Sequence, residues 1–322
     1  DGVVNGCPSH LLEPERLQLI QYSEDFSQWT SFNTSVESNN AISPNGSLNA
    51  DKISITNTSH IIYAQSSVLA QTEYTFSFYF KSGTKDFVEI AFYNDNANTF
   101  ISTDVNQTSI DYGNGWRKII TNVTTPIGCT SIYSYVDRSS GLGNYYIWGA
   151  QLEQGSYPTS YIPNYGTSAG ITRVAETANG AGDASTFNDS EGVLMVESST
   201  LVDGESVRVI GLSDGSTNNR ISITYHSTLN RIQIFGSKAG DEIFNLEYLN
   251  SEKTNLNKVA VKYSASLIEF YYNGFLVDSV VPTDIFNTNT LDRLNFNRIT
   301  GGNDFYGNTK QLQYFDSALN DS

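Results

Sequence analysis

Residues 258–281 read KVAVKYSASLIEFYYNGFLVDSVV. In KVAVKYS apolar and polar side chains alternate with a period of two, and LIEFYYN repeats the pattern, as a strand with one buried face requires. Asn273-Gly274 then reverses the chain. Both residues tolerate positive φ, and such a pair between alternating runs is the strongest short-range hairpin signal. The stretch therefore predicts antiparallel sheet, and its neighbours extend it. GVLMVESSTL (192–201), SVRVIGLSD (206–214), RISITYHS (220–227) and RIQIFGS (231–237) all read as short strands separated by turn residues.

The first half has the same texture. FSFYFKS (76–82) alternates aromatics with polar residues and predicts a half-buried strand; FVEIAFYND (87–95) follows a GTKD turn, GWRKIITNVT (115–124) follows DYGNG, and NYYIWGAQLE (144–153) closes the set. Between 154 and 192 alternation collapses into QGSYPTSYIPNYGTSAG and ANGAGDASTFNDSEG, rich in Gly, Ser, Thr and Asn, as in a connection running over a surface. No segment of useful length carries a helical period. The expected architecture is all-β: an N-terminal arm (1–18) interrupted by Pro8 and Pro14, an antiparallel sandwich (19–165), a linker (166–190) and a second sandwich (191–322).

Composition narrows the function classes. The chain has 322 residues, 18 Lys+Arg against 34 Asp+Glu and a formal net charge of -16, which repels phosphate backbones and excludes general nucleic-acid binding. Aromatic residues make up 12% of the chain, too many for a disordered one. No apolar run approaches the roughly 20 residues of a membrane helix, so no membrane insertion is expected. Cys7 and Cys129 are the only cysteines, either bridged or two isolated thiols. A chain beginning at Asp1 without a leader is expected to be processed or cut from something longer. The Asn-x-Ser/Thr triplets at Asn33, Asn45, Asn57, Asn106 and Asn122 are expected by chance in a chain rich in these residues.

Two phrases carry a resemblance. LEPERLQLIQYSEDFSQW (12–29) and YIWGAQLEQGSYPTSYIPNYGTSAGITRVAE (146–176) resemble the opening and close of a unit found in virion-associated, tail-fibre-like proteins of phages infecting aquatic Bacteroidetes. The unit between them resembles a jelly-roll carbohydrate-binding module, and similar units sit in secreted bacterial proteins. In the second half, KVAVKYSASLIEFYYNGFLVDS (258–279) and FYGNTKQLQYFDSALNDS (305–322) resemble a laminin-G or concanavalin A-like domain. Both resemblances imply recognition of glycan or cell surface, although sandwiches host many functions.

Chemistry is sparse. A retaining glycosidase needs two carboxylates about 5–5.5 Å apart, and no strand presents an alternating acidic array; Asp203 and Glu205 sit in a turn-like VDGES. His10, His60 and His226 are isolated, and Tyr225 and His226, being adjacent, point to opposite faces of any strand. No nucleophile or phosphate-binding motif is present, and no enzyme is expected. Glu24, Asp25 and Glu153, from the opening and closing phrases, are candidate ligands for a structural calcium; no other cofactor is called for.

Aromatics say more, because sugars stack on Trp and Tyr. All three tryptophans lie in the first half. Trp29, Tyr63, Tyr133, Tyr135 and Trp148 are the candidate sugar-binding residues, with Tyr133 and Tyr135 on one strand face as a two-ring platform; Trp116 reads as core, and the alternative for Trp29 and Trp148 is that they pack together across the module. The expected function is a non-enzymatic virion-surface spike, fibre or decoration protein, a homo-oligomer that binds host-surface glycan and contacts other virion proteins. The alternatives are the carbohydrate-targeting region of a secreted polysaccharide-degrading enzyme and a purely structural virion protein.

Overall fold

The computed structural model describes residues 9–103, 107–138, 141–202, 206–227, 230–249, 252–299 and 302–319. Cys7, Asn106, Asp203 and Glu205 lie outside them. The described chain divides into two compact units, residues 15–174 and residues 9–14 together with 175–319. Strand β1 (His10–Leu12) belongs to the second unit. The first holds β2 (Arg16–Gln18), a 3₁₀ turn (Phe26–Gln28), β3 (Thr30–Phe32), β4 (Thr34–Ile42), β5 (Leu48–Ile55), β6 (Ile61–Ser67), β7 (Glu73–Ser82), β8 (Ala91–Asn94), β9 (Thr99–Ser102), β10 (Thr108–Gly113), β11 (Trp116–Thr124), β12 (Ser131–Arg138), β13 (Gly143–Gln154) and β14 (Ile171–Arg173). The second continues with β15 (Asn179–Ala181), β16 (Glu191–Thr200), β17 (Arg208–Ser213), β18 (Arg220–Tyr225), β19 (Arg231–Lys238), β20 (Asp241–Leu249), β21 (Asn257–Ser264), β22 (Ile268–Tyr272), β23 (Phe275–Val280), β24 (Arg293–Asn295) and β25 (Gly307–Phe315).

The protein is all-β, and each unit is an antiparallel sandwich. In the first, a six-stranded sheet β10-β11-β7-β13-β5-β4 faces a five-stranded sheet β3-β6-β12-β8-β9. Phe76, Phe78 and Phe80 project from one sheet towards Ile62, Phe92, Ile132 and Val136 of the other, all essentially without exposed surface. In the second, sheets β1-β25-β16-β21-β22-β23 and β15-β24-β17-β18-β19-β20 enclose Leu194, Val196, Ile221, Ile223, Ile232, Ile234, Val259 and Val261. The hairpin at 273–274 forms as its sequence dictates. Asn273 and Gly274 have φ of 51° and 86°, and the Asn273 side chain accepts from the Lys258 backbone N–H at 2.8 Å.

The segment boundaries differ from the sequence-based ones. Of the expected arm, residues 1–18, the described part is not a separate piece: His10–Leu12 pair with Gly307–Thr309 at the edge of the second sandwich, and Arg16–Gln18 pair with Ile171–Arg173 in the first. The expected linker, 166–190, contains β14 and β15, each pinned by a strand distant in sequence. Strand β7 is not half-buried. Its core face is the expected one, but Thr75, Ser77 and Tyr79 on the other face are buried as well, because the closing segment after β13 lies over them. Thr75 donates to the Gly155 carbonyl at 2.7 Å, and Trp148 covers Tyr79 with 5.2 Å between ring centroids.

Candidate functional site

The opening and closing phrases turn out to be fasteners. The buried Gln18 side chain donates to the Ala150 carbonyl (2.7 Å) and accepts from the Leu152 N–H (2.9 Å) and the Ile20 N–H (3.0 Å). Ser23 accepts from the Asn164 N–H at 2.9 Å, and Gln151 accepts from the Ile162 N–H at 2.7 Å. Buried polar groups are stable only when hydrogen-bonded, so these side chains stitch the start of the sandwich to its end.

The proposed calcium ligands belong to the same stitching, and the structure does not bring them together. Glu153, fully buried, accepts from the Thr159 N–H (3.0 Å), the Thr159 hydroxyl and the Gln151 amide. Glu24 accepts from Asn49 (2.8 Å) and the Tyr161 hydroxyl (3.0 Å), while Asp25 caps the 3₁₀ turn by accepting from Ser27. Among the described residues no group of three His, Cys, Asp or Glu is placed to hold a metal ion. Cys129 is a buried free thiol, pushed above its usual pKa by desolvation.

The tryptophans are buried, although Trp148 borders a 330 Å³ depression beside Tyr79, Tyr112 and Tyr161. Trp148 packs between Tyr79 and Tyr161, the latter at 4.5 Å, beneath the closing segment. Trp29 packs on Phe26 at 4.6 Å and donates its indole N–H to the Tyr22 carbonyl, so the two tryptophans sit in different clusters rather than together. Trp116 is buried, donating to the Ile42 carbonyl.

Cover over the six-stranded sheet is confined to β7 and β13, and the outer face of β3-β6-β12-β8-β9 carries the tyrosines. Alternation on β12 sends Ile132, Ser134 and Val136 into the core and Tyr133 and Tyr135 outward. Tyr133 is stacked between Tyr63 on β6 (4.6 Å, 21° between planes) and Tyr93 on β8 (5.6 Å, 16°). Tyr135 lies 4.8 Å from Tyr63 and 6.0 Å from Phe100, over which Arg138 rests at 4.4 Å. The rings form a ladder, side by side on neighbouring strands, so the expected Tyr133–Tyr135 platform does not exist as a flat surface: both faces of Tyr133 are occupied. Its hydroxyl donates to Asp95, which pushes the phenol pKa up to about 12. Asp95 also accepts from Gln65 (3.0 Å) and Ser131 (3.2 Å).

Tyr63 joins this ladder to an open cleft of 890 Å³. Strand β3 pairs with β6 only at residues 61–63. Beyond Tyr63 the β6 edge, residues 64–67, instead lines the cleft, with Tyr22 and Leu17 opposite. Gln21, Gln28 and Gln65 supply amides, and Thr30, Ser67 and Ser168 supply hydroxyls. Among the described residues no charged side chain lines it. Such a cleft can hold a polar, uncharged molecule: rings offer apolar faces, and amides offer donors and acceptors in pairs. Of the sequence-predicted residues, Tyr63 and Trp29 line this cleft; Tyr22, Gln28 and Gln65 were missed, although Gln65 lies two residues after Tyr63 and therefore on its strand face.

No protein-family model and no curated protein matches the chain. Among solved structures it is similar to the Ruminococcus gnavus IT-sialidase CBM40 at 12% identity and TM-score 0.37, over 45% of this chain and 90% of that one. The same module has been solved bound to alpha2,3 sialyllactose. The chain is also similar to sheep galectin-11 (6% identity, TM-score 0.28, 38% of this chain and 88% of that one). Mouse laminin alpha1 domains LG4-5 match at 8% identity and TM-score 0.32, over 99% of this chain and 94% of that one.

Proposed function

We propose that the protein is a non-enzymatic glycan-recognition protein whose first sandwich holds a neutral saccharide in the cleft between Tyr22, Tyr63 and the free edge of β6. The observation that carries this reading is the uncharged lining. In a chain of net charge -16, a cleft of this size lined by amides, hydroxyls, rings and aliphatic side chains, with no charged side chain among the described residues, matches the hydroxyls and C–H faces of an uncharged sugar. Display on a virion surface, as a homo-oligomeric spike, fibre or decoration protein, rests on the resemblance of the opening and closing phrases; multivalency would then raise a weak single-site affinity.

The test is a glycan array on the full chain, followed by calorimetric titration with a neutral oligosaccharide that scores. Gln28→Ala and Gln65→Ala should each weaken binding about tenfold, roughly 1.4 kcal/mol, at unchanged melting temperature. Binding that survives both changes, or an array without any neutral sugar bound, defeats the reading. Sedimentation separates the settings: a concentration-independent ring favours virion display, whereas a monomer retarded in polysaccharide gels favours the targeting region of a secreted enzyme.

A further inference from the structure

The second sandwich carries a groove of opposite character. It is a 260 Å³ depression on the outer face of β17, β18 and β19. Alternation on β18 places Ile221, Ile223 and Tyr225 in the core and Arg220, Ser222 and Thr224 on the groove side, while β19 contributes Gln233 and Phe235. Arg298 enters from the segment after β24. Arg220 lies over the Phe235 ring with its guanidinium carbon 4.9 Å from the centroid.

What sets the groove apart is uncompensated positive charge. Elsewhere on the same sheet the cations are paired: Arg231 donates twice to Glu247 at 2.6 and 2.7 Å, and Lys238 meets Asp284 at 2.7 Å. Among the described residues neither Arg220 nor Arg298 has a carboxylate partner, and the groove has no acidic lining. The Nη1 of Arg220 is shielded from solvent and makes no hydrogen bond. Its pKa is lowered first by burial and then by the charge of Arg298. A buried donor without a partner is destabilising, more so when charged, and the like charge of Arg298 adds repulsion. This arrangement, in a chain with nearly twice as many acids as bases, is relieved by an anion.

The remaining lining suits an anion carried on a sugar. Ser222 and Thr224 bring two hydroxyl-bearing side chains to the groove lining. Gln233 accepts from His226 Nε2 at 2.9 Å, which leaves imidazole Nδ1 as the other polar ring atom at the rim. Val207 and Val209 provide an apolar wall. The volume is below the roughly 300–1,000 Å³ of pockets for drug-sized ligands, so it fits one residue rather than a chain of them. We propose that this groove is a second binding site, specific for a single acidic sugar unit whose carboxylate or sulfate sits between Arg220 and Arg298.

The test titrates the full chain with glucuronate, glucose 6-sulfate, glucose and sodium sulfate alone. Expected are binding of at least one acidic sugar that weakens as salt rises, glucose at least tenfold weaker, and sulfate alone weaker than the sugar that carries the anion. Arg220→Gln and Arg298→Gln should each remove at least tenfold of that affinity. Arg298→Gln should leave the ligand-free melting temperature unchanged or higher, since it relieves repulsion, and should abolish the upward shift that the acidic sugar produces in the parent. Unchanged affinity in the Arg220→Gln/Arg298→Gln double variant overturns the proposal, as does glucose binding as tightly as both acidic sugars. Sulfate alone binding as tightly as the acidic sugars overturns the saccharide assignment. Gln65→Ala, in the other sandwich, should leave this binding intact, so the two sites fail separately.

Discussion

Tyr63 and Tyr133 face each other across β6 and β12 with centroids 4.6 Å apart, and Tyr93 stacks on Tyr133 from the other side. The pair therefore spends its ring faces on the protein itself. Only Tyr63 also reaches the cleft.

Tyr133→Ala should thus behave as a stability variant. Aromatic pairs contribute about 0.5–1.5 kcal/mol each beyond area burial, so losing two contacts should cost about 1–3 kcal/mol in urea denaturation. Affinity for a neutral oligosaccharide should change less than threefold at temperatures where both proteins are folded. A tenfold loss of affinity without a loss of stability would make Tyr133 a ligand-stacking residue after all.

Lys85 and Asp137 form an ion pair with both side chains out of solvent, and His60 Nε2 lies 3.5 Å from the same carboxylate. Removing one partner of such a pair leaves an uncompensated buried charge, at a cost of about 3–5 kcal/mol. Lys85→Met should fall in that range, and Lys85→Met/Asp137→Leu should be more stable than either single variant. Additive losses in chemical denaturation would show that the pair is not coupled.

Asp51 accepts from the Phe26 and Asn39 N–H groups at 2.8 and 2.9 Å. Burial nevertheless lifts its pKa from 3.8 to about 6, outweighing those two bonds. The folded chain keeps a proton here that the unfolded chain has released. The resulting stability is full below about pH 4 and is lost as the pH rises through about 6, up to about 3 kcal/mol in all. Denaturation of the parent and of Asp51→Asn across that range should give a difference that shifts in favour of the variant as the pH rises. A constant difference would remove Asp51 from the pH response.

Limited proteolysis with a broad-specificity enzyme should cut first near residues 174–178, between β14 and β15, where Val174 is 71% exposed. A first cut inside β7 or β21 would mean that the division into two units is wrong.

The sheet itself was legible in the sequence where pattern is local. Asn273-Gly274 and the alternation of 220–225 need only neighbouring residues to be read. The three-residue strands β1, β2, β14 and β15 are too short for any period, and each exists only because a distant strand receives it. Burial of Tyr79 and Trp148 was hidden for a related reason: the cover over them comes from Tyr161, in a stretch that reads as loop. The site residues divide the same way. Tyr63 and Gln65 share a strand face and could be paired by counting, whereas Arg220 and Arg298 meet only through the fold.

The pairing of His10 with Thr309 has a consequence for synthesis. Its two halves lie 299 residues apart and leave the ribosome about 15–60 s apart at roughly 5–20 residues per second. The first sandwich ends its last strand at Arg173 and can be complete well before β25 is made. The second must wait for β25, and then recruits as its edge strand a segment made before the whole first sandwich. A stalled nascent chain would therefore display a finished first sandwich while His10–Leu12, still unpaired, waits for a partner that has not yet been made.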